Sequence, residues 1–111
     1  MKINSPTHNK LMQKLAAEPQ NTKLWAEFAR RFNGYIGSVV ARALQQRAGA
    51  VRLETKDELI QQVYARLLAD SARAIRDYRG CEESSVYPYL EIIALRLVLK
   101  SMGIRAGSNV T

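Results

Sequence analysis

Residues 55–68, TKDELIQQVYARLL, decide the fold. Ile60, Val63, Tyr64, Leu67 and Leu68 recur at i, i+3, i+4, i+7 and i+8, while Glu58, Gln61, Gln62, Ala65 and Arg66 repeat that spacing on the opposite side. The segment is an amphipathic helix. Thr55 and Glu58 stand in capping-box order, and Asp57 and Glu58 place two carboxylates in the first turn, where the helix dipole favours them. A merely solvated face usually carries Glu/Lys pairs four residues apart. Here paired glutamines beside acids offer groups that both donate and accept hydrogen bonds toward a partner. Function is to be sought on that face.

The flanking sequence has the same character. No segment alternates like a β-strand and no two-residue hairpin signal occurs, so the chain reads as all-α, a compact bundle of about four helices. The first helix runs over about 7–17, after Ser5 and Pro6, a pairing that suits a cap and the first helical position. Residues 19–21, PQN, break it. The second starts near Thr22 and carries Trp25, Phe28, Ala29, Phe32, Ile36, Val39, Val40 and Ala43 at helical spacing, ending near Gly49. Gly34 and Gly37 inside it each cost up to about 1 kcal/mol relative to alanine, which implies a bend or a close helix crossing. The third ends at Asp70 and Ser71, before a short helical turn over 72–78 that Gly80 stops. The fourth follows the polar loop 81–85, with Ser84 or Ser85 as cap and Pro88 in the first turn, and runs to about Met102. The core is expected around Trp25, Phe28, Phe32, Ile36, Val39, Ile60, Val63, Leu67, Leu90 and Ile93. The chain then divides into an N-terminal segment with a short helix (1–21), a helical domain (22–102) and a flexible tail or linker (103–111).

At 111 residues the chain can bury roughly two thirds of its unfolded surface in one core, with no need of a disulfide or metal. The single cysteine, Cys81, excludes an intramolecular disulfide, and the opening MKINSPTHNK lacks an apolar segment for export. The longest apolar run, around 92–99, is interrupted by Arg96 and is too short to span a membrane. A reducing, cytoplasmic setting fits. The net charge of +7 is uneven, since residues 1–56 hold ten basic and three acidic side chains while the remainder cancels in alternating blocks. Such a basic balance favours a nucleic-acid partner, because Lys and Arg displace counterions from phosphates.

Enzyme chemistry is not visible. There is no nucleophile with a base, no carboxylate pair in a cleft and no phosphate-cradling glycine loop. His8 reads as a surface residue and Cys81, beside Glu82 and Glu83, as an inert loop cysteine. Asp57 and Glu58 suit a helix start better than a metal, so no metal or cofactor is expected. What remains is AIRDYRG, where Arg73, Arg76 and Arg79 surround Tyr78, with Tyr87 and Tyr89 following. Cations beside aromatic rings are what a surface needs to hold single-stranded or opened DNA.

The order of these elements resembles region two of bacterial RNA polymerase sigma factors of the extracytoplasmic-function type. The resemblance covers about 24–102: LWAEFARRFNGYIGSVVARAL is similar to the opening helix, KDELIQQVYARLL to the polymerase-binding helix, and IRDYRG with VYPYLEIIALRLVL to the promoter-melting and −10-reading part. Asp57, Glu58, Leu59, Gln61, Tyr64, Arg66 and Leu67 reproduce a pattern common in that family. Gln62 stands where the family usually has an acid, and Leu95-Arg96 and Lys100 stand where it has an arginine-asparagine step and a later aspartate. After Met102 the chain holds no helix-turn-helix of the kind that reads the −35 element, so it is expected to be a fragment or a region-two-only protein.

The resemblance implies a non-enzymatic transcription initiation factor. Asp57, Glu58, Leu59, Gln61, Gln62 and Arg66 would dock on the clamp helices of the core polymerase β′ subunit. Arg76, Tyr78, Arg79 and the loop 82–85, with Ser84 and Ser85, would receive the non-template strand of the opened −10 promoter region. Tyr87, Arg96 and Lys100 would contact bases or phosphates, and an anti-sigma factor is a further partner. The rival expectation is a helical interaction module without promoter recognition, a homodimer formed through the last helix, whose Ile92, Ile93, Leu95, Leu97, Val98 and Leu99 make it apolar nearly all round. Burial of Leu95 and Leu99 within one chain would remove the motive for that dimer.

Overall fold

The capping box at Thr55 forms: Thr55 Oγ1 accepts from the Glu58 amide at 3.2 Å, and Glu58 Oε1 accepts from the Thr55 amide at 2.8 Å. The computed structural model describes residues 7–46 and 55–101, and within them the chain is an all-α bundle of four helices. These are α1 (His8–Ala17), α2 (Thr22–Gln46), α3 (Lys56–Arg76) and α4 (Val86–Ser101), with one 3-10 turn, Glu83–Ser85, before α4. Ser5, Pro6, Gly49, Met102 and the tail 103–111 lie outside the described residues.

Each start has a local cause. Thr7 caps α1 by accepting from the Lys10 amide at 3.1 Å. Asn21 Oδ1 accepts from the amides of Lys23 and Leu24, at 2.9 and 3.2 Å, which opens α2 where the PQN break predicts it. The Trp25 indole N–H donates to the Pro19 carbonyl at 2.8 Å and pins that corner. Before α4, Ser85 Oγ accepts from the Glu82 amide at 3.1 Å, a bond that closes the 3-10 turn rather than capping α4.

Helix α2 is the spine, packing along α4 and α3, while α1 lies against α3. Phe28, Phe32, Ile36 and Val40 are fully buried, with Leu11 and Leu15 from α1, Val63 and Leu67 from α3, and Leu90 and Ala94 from α4. Rings form a continuous chain, Trp25 edge-on to Phe28 at 5.3 Å, Phe28 tilted on Phe32 at 5.0 Å and Phe32 edge-on to Tyr87 at 5.7 Å. Gly37 is the close crossing, with the Ile60 Cδ1 methyl 3.7 Å from where its Cβ would be, whereas Gly34 faces open space.

The apolar stripe of α3 is rotated from its expected position. Its buried line is Leu59, Val63 and Leu67; Ile60 and Tyr64 flank it half-buried, and Leu68 is 47% exposed. Trp25 and Ile93, expected in the core, pack against it half-buried. The third helix breaks where the sequence predicts: Ala69 is extended, and Asp70, Ser71 and Ala72 adopt φ of 56°, 57° and 61°, a left-handed turn, before the helix resumes as far as Arg76.

Candidate functional site

The first half of α3 presents Asp57, Glu58, Gln61 and Arg66 to solvent, a row about 14 Å long at 1.5 Å per residue. One oxygen of Glu58 is already engaged in the cap. Gln62 is half-buried. Leu59, expected on this docking row, is fully buried and belongs to the core; its neighbours one turn on, Val63 and Leu67, draw it inward. Four of the six expected docking residues are therefore exposed.

At the far end of the same helix the arginines meet the backbone. The Arg76 guanidinium donates through Nη2 to the Asp70 carbonyl at 2.8 Å and through Nε to Ser71 at 3.2 Å, bracing the left-handed turn. Arg79 Nη1 donates to the carbonyls of Arg76 and Tyr78, at 2.6 and 3.0 Å, and so closes the helix C-terminus. Both side chains stay exposed. Tyr78 is held between them, its hydroxyl donating to Asn9 Oδ1 at 2.7 Å and its ring edge-on to Tyr89 at 5.1 Å. Burial pushes its phenol above the usual range. Gly80 follows because a Cβ there would run into the Tyr78 ring and hydroxyl. Ser84 is exposed, while Ser85 is half-buried and engaged with Glu82.

Two further side chains, Tyr87 and His8, are half-buried. Tyr87, a candidate base contact, is enclosed by rings: Tyr35 at 5.0 Å, Phe32 at 5.7 Å and His8 at 5.7 Å. Its ring packs edge-on in this cluster and is half-buried. His8, expected at the surface, has a side chain only 20% exposed. Its Nδ1 lies 3.1 Å from Arg31 Nη1, and a guanidinium has no acceptor, so in the neutral ring Nδ1 accepts and the proton sits on Nε2, 3.4 Å from the Tyr87 hydroxyl. The His8 backbone amide donates to Glu83 Oε2 at 2.8 Å, and Asn9 Nδ2 donates to the Glu82 carbonyl at 3.1 Å. The first turn of α1 is thereby fastened to the loop before α4. No local pattern signals contacts between residues more than seventy positions apart.

Arg96 and Lys100 are exposed on α4. Arg96 lines a groove of about 500 Å³ between α3 and α4 that also takes in Arg66, Tyr89 and Ile92, together with Asp70 and Asp77. One residue of the docking set and one of the DNA set thus share a groove. Cys81 is a free, exposed thiol. Among the described residues no three His, Cys, Asp or Glu side chains converge to hold a metal, and no helix is long and apolar enough to cross a membrane. Against family models, curated proteins and solved structures the chain finds no match, and its function has to be argued from the geometry of its own residues.

Proposed function

We propose that the chain acts as a sigma region-two-like transcription initiation factor, binding core RNA polymerase through α3 and helping to open and hold the −10 promoter region. One juxtaposition carries this reading. A row of exposed polar side chains, Asp57, Glu58, Gln61 and Arg66, occupies the first half of α3, and Arg76, Tyr78 and Arg79 cluster at its end. The second set follows the first along the chain, just past the left-handed turn at 70–72, so a partner gripping the first half of α3 has the second set near it. The net charge of +7 supports a nucleic-acid contact. The polymerase supplies the chemistry, and this chain supplies position and charge.

Co-purification with core polymerase tests the docking half. Gln61→Ala and Asp57→Ala are expected to lower retention relative to wild type, and unchanged retention in both excludes this face. For the DNA half, a single-stranded −10-type oligonucleotide should bind more weakly to the Tyr78→Ala, Arg79→Ala double variant. Arg79→Ala alone should lower the salt slope by about one unit, and an unaltered slope removes Arg79 from the interface.

A second reading, homodimerisation through α4, has one observation in its favour: Ile92 is 50% exposed. Against it, Leu95 and Leu97 pack on the core and Leu99 is half-buried. If this helix is the contact, Ile92→Lys converts a dimer to a monomer in sedimentation equilibrium; a monomer before and after the change removes this reading.

A further inference from the structure

His8 is the single histidine of the chain, and imidazole is the side chain that gains and loses its charge near neutral pH. Each neighbouring element contributes to its surroundings. Helix α2 brings Arg31, whose Nη1 lies 3.1 Å from Nδ1, and behind it Glu27, whose Oε2 accepts from Arg31 Nε at 2.6 Å. The 3-10 turn brings Glu83, whose Oε2 lies 3.5 Å from the same Nδ1. Helix α4 brings the Tyr87 hydroxyl, 3.4 Å from Nε2, and Phe32 of α2 meets the ring edge-on at 4.9 Å. The first turn of α1 holds no acid of its own.

One ring nitrogen thus stands between a cation and an anion, and it serves one at a time. With a lone pair, Nδ1 accepts from the guanidinium and has nothing to offer a carboxylate; with a proton, it donates to the carboxylate and repels the guanidinium. The Arg31 side chain is 9% exposed and that of His8 20%, so the repulsion between two like charges 3.1 Å apart is weakly screened. Arg31 is kept in place by Glu27, whose carboxyl, held at about 2 by Arg30 and Arg31, stays ionised across the range in which an imidazole titrates. The ring is therefore the group that turns. Glu83 Oε2 already receives the His8 backbone amide at 2.8 Å, which keeps the carboxylate beside the ring. Helix α1 stays seated, because Leu11, Met12 and Leu15 bury its apolar side whatever the charge on His8.

We propose that His8 is a proton-driven latch: Nδ1 accepts from Arg31 of α2 while the ring is neutral and donates to Glu83 once the ring is protonated, so acid transfers the first turn of α1 from α2 to the loop before α4. The proton comes from solvent, and only hydrogen bonds change hands. A charge-assisted bond to Glu83 then joins the one from the His8 backbone amide, and the segment 82–85 is held more firmly by the protonated ring than by the neutral one. The latch is a property of the His8 surroundings and is independent of the transcription reading, under which the segment it stiffens is the one given to the opened strand.

The test is an NMR titration of the intact chain from about pH 8 to about pH 5, in which a single imidazole makes the ring signals unambiguous. At the alkaline end, long-range proton–nitrogen spectra should place the proton on Nε2. As the ring takes up its second proton, the Arg31 guanidinium and Glu83 carboxyl signals should shift together with it. Exchange is read at two amides, that of His8, which donates to Glu83, and that of Ser85, which donates to the Glu82 carbonyl at 3.0 Å. Relative to a reference at the same pH, His8→Gln for the Ser85 amide, that exchange should slow by about two- to fivefold as the ring charges, the scale of a partly exposed charge pair. Glu83→Gln, which keeps an acceptor and removes the charge, should abolish most of that slowing while the chain keeps its helical circular dichroism. A ring that stays neutral down to about pH 5, a neutral form with its proton on Nδ1, an Arg31 signal that does not follow the ring, or slowing that survives Glu83→Gln overturns the proposal. Faster exchange at Leu11 and Met12 as the ring charges also overturns it, since acid would then be releasing α1 instead of moving its hold.

Discussion

Glu27 accepts from Arg30 at 2.6 Å and from Arg31 at 2.6 Å, and these two bonds hold its carboxyl at about 2, well below the usual 4.5. A group whose folded pKa is depressed contributes stability above its unfolded value, and that contribution fades as pH falls toward the folded value. Wild type should therefore melt above Glu27→Gln at about pH 6, with the difference vanishing toward pH 2. A difference in melting temperature that persists unchanged at pH 2 would show that the ion pair is not its source. Tyr78 gives the second residue-scale prediction. Removing its hydroxyl leaves Asn9 Oδ1 without that donor, so Tyr78→Phe should lose about 1 kcal/mol in urea unfolding. The role of Glu27 follows from i+3 and i+4 arginines that are plain in RRF-containing EFARRF, whereas the partner of Tyr78 lies 69 positions away and has no local signature.

At the scale of the element, α3 was largely legible. The capping box, the amphipathic run and the break at Asp70 and Ser71 all appear where the residues put them. What the periodicity left open was rotation. Apolar residues at both 59 and 60, 63 and 64, and 67 and 68 allow two adjacent stripes, and only the positions of α1 and α2 select the line through Leu59. The break itself is costly: a left-handed conformation costs an L-residue roughly 1–2 kcal/mol, and three stand in a row. Glycine adopts that region freely, so Ser71→Gly at this exposed position should raise stability by up to about 1 kcal/mol, and Ser71→Val should lower it. Equal melting temperatures for the two variants would mean the turn relaxes in solution.

Across the whole molecule, the helix count and the all-α class follow from the residues alone, because α2 and α3 each carry long stripes and clear stops. The core was legible through Phe28, Phe32, Ile36 and Leu90, and Phe32→Ala should cost about 3–5 kcal/mol, a large part of the ~5–15 kcal/mol that holds a domain folded, read as a lowered melting temperature. The placement of α1 was not legible. Leu11, Met12 and Leu15 mark its apolar side, yet a ten-residue stripe fits any open flank of a bundle. The seat beside Gly80 is chosen by His8, Asn9 and Glu83, polar residues whose pairing depends on the finished fold.

That fastening also sets an order of events during synthesis. Residues 8 and 9 leave the ribosome long before Glu82 and Glu83, and at about 5–20 residues per second the interval is roughly 4–15 s. For most of that time the apolar side of α1 lacks the residues of α3 that it packs against, so this early helix waits on a partner made some fifty residues later.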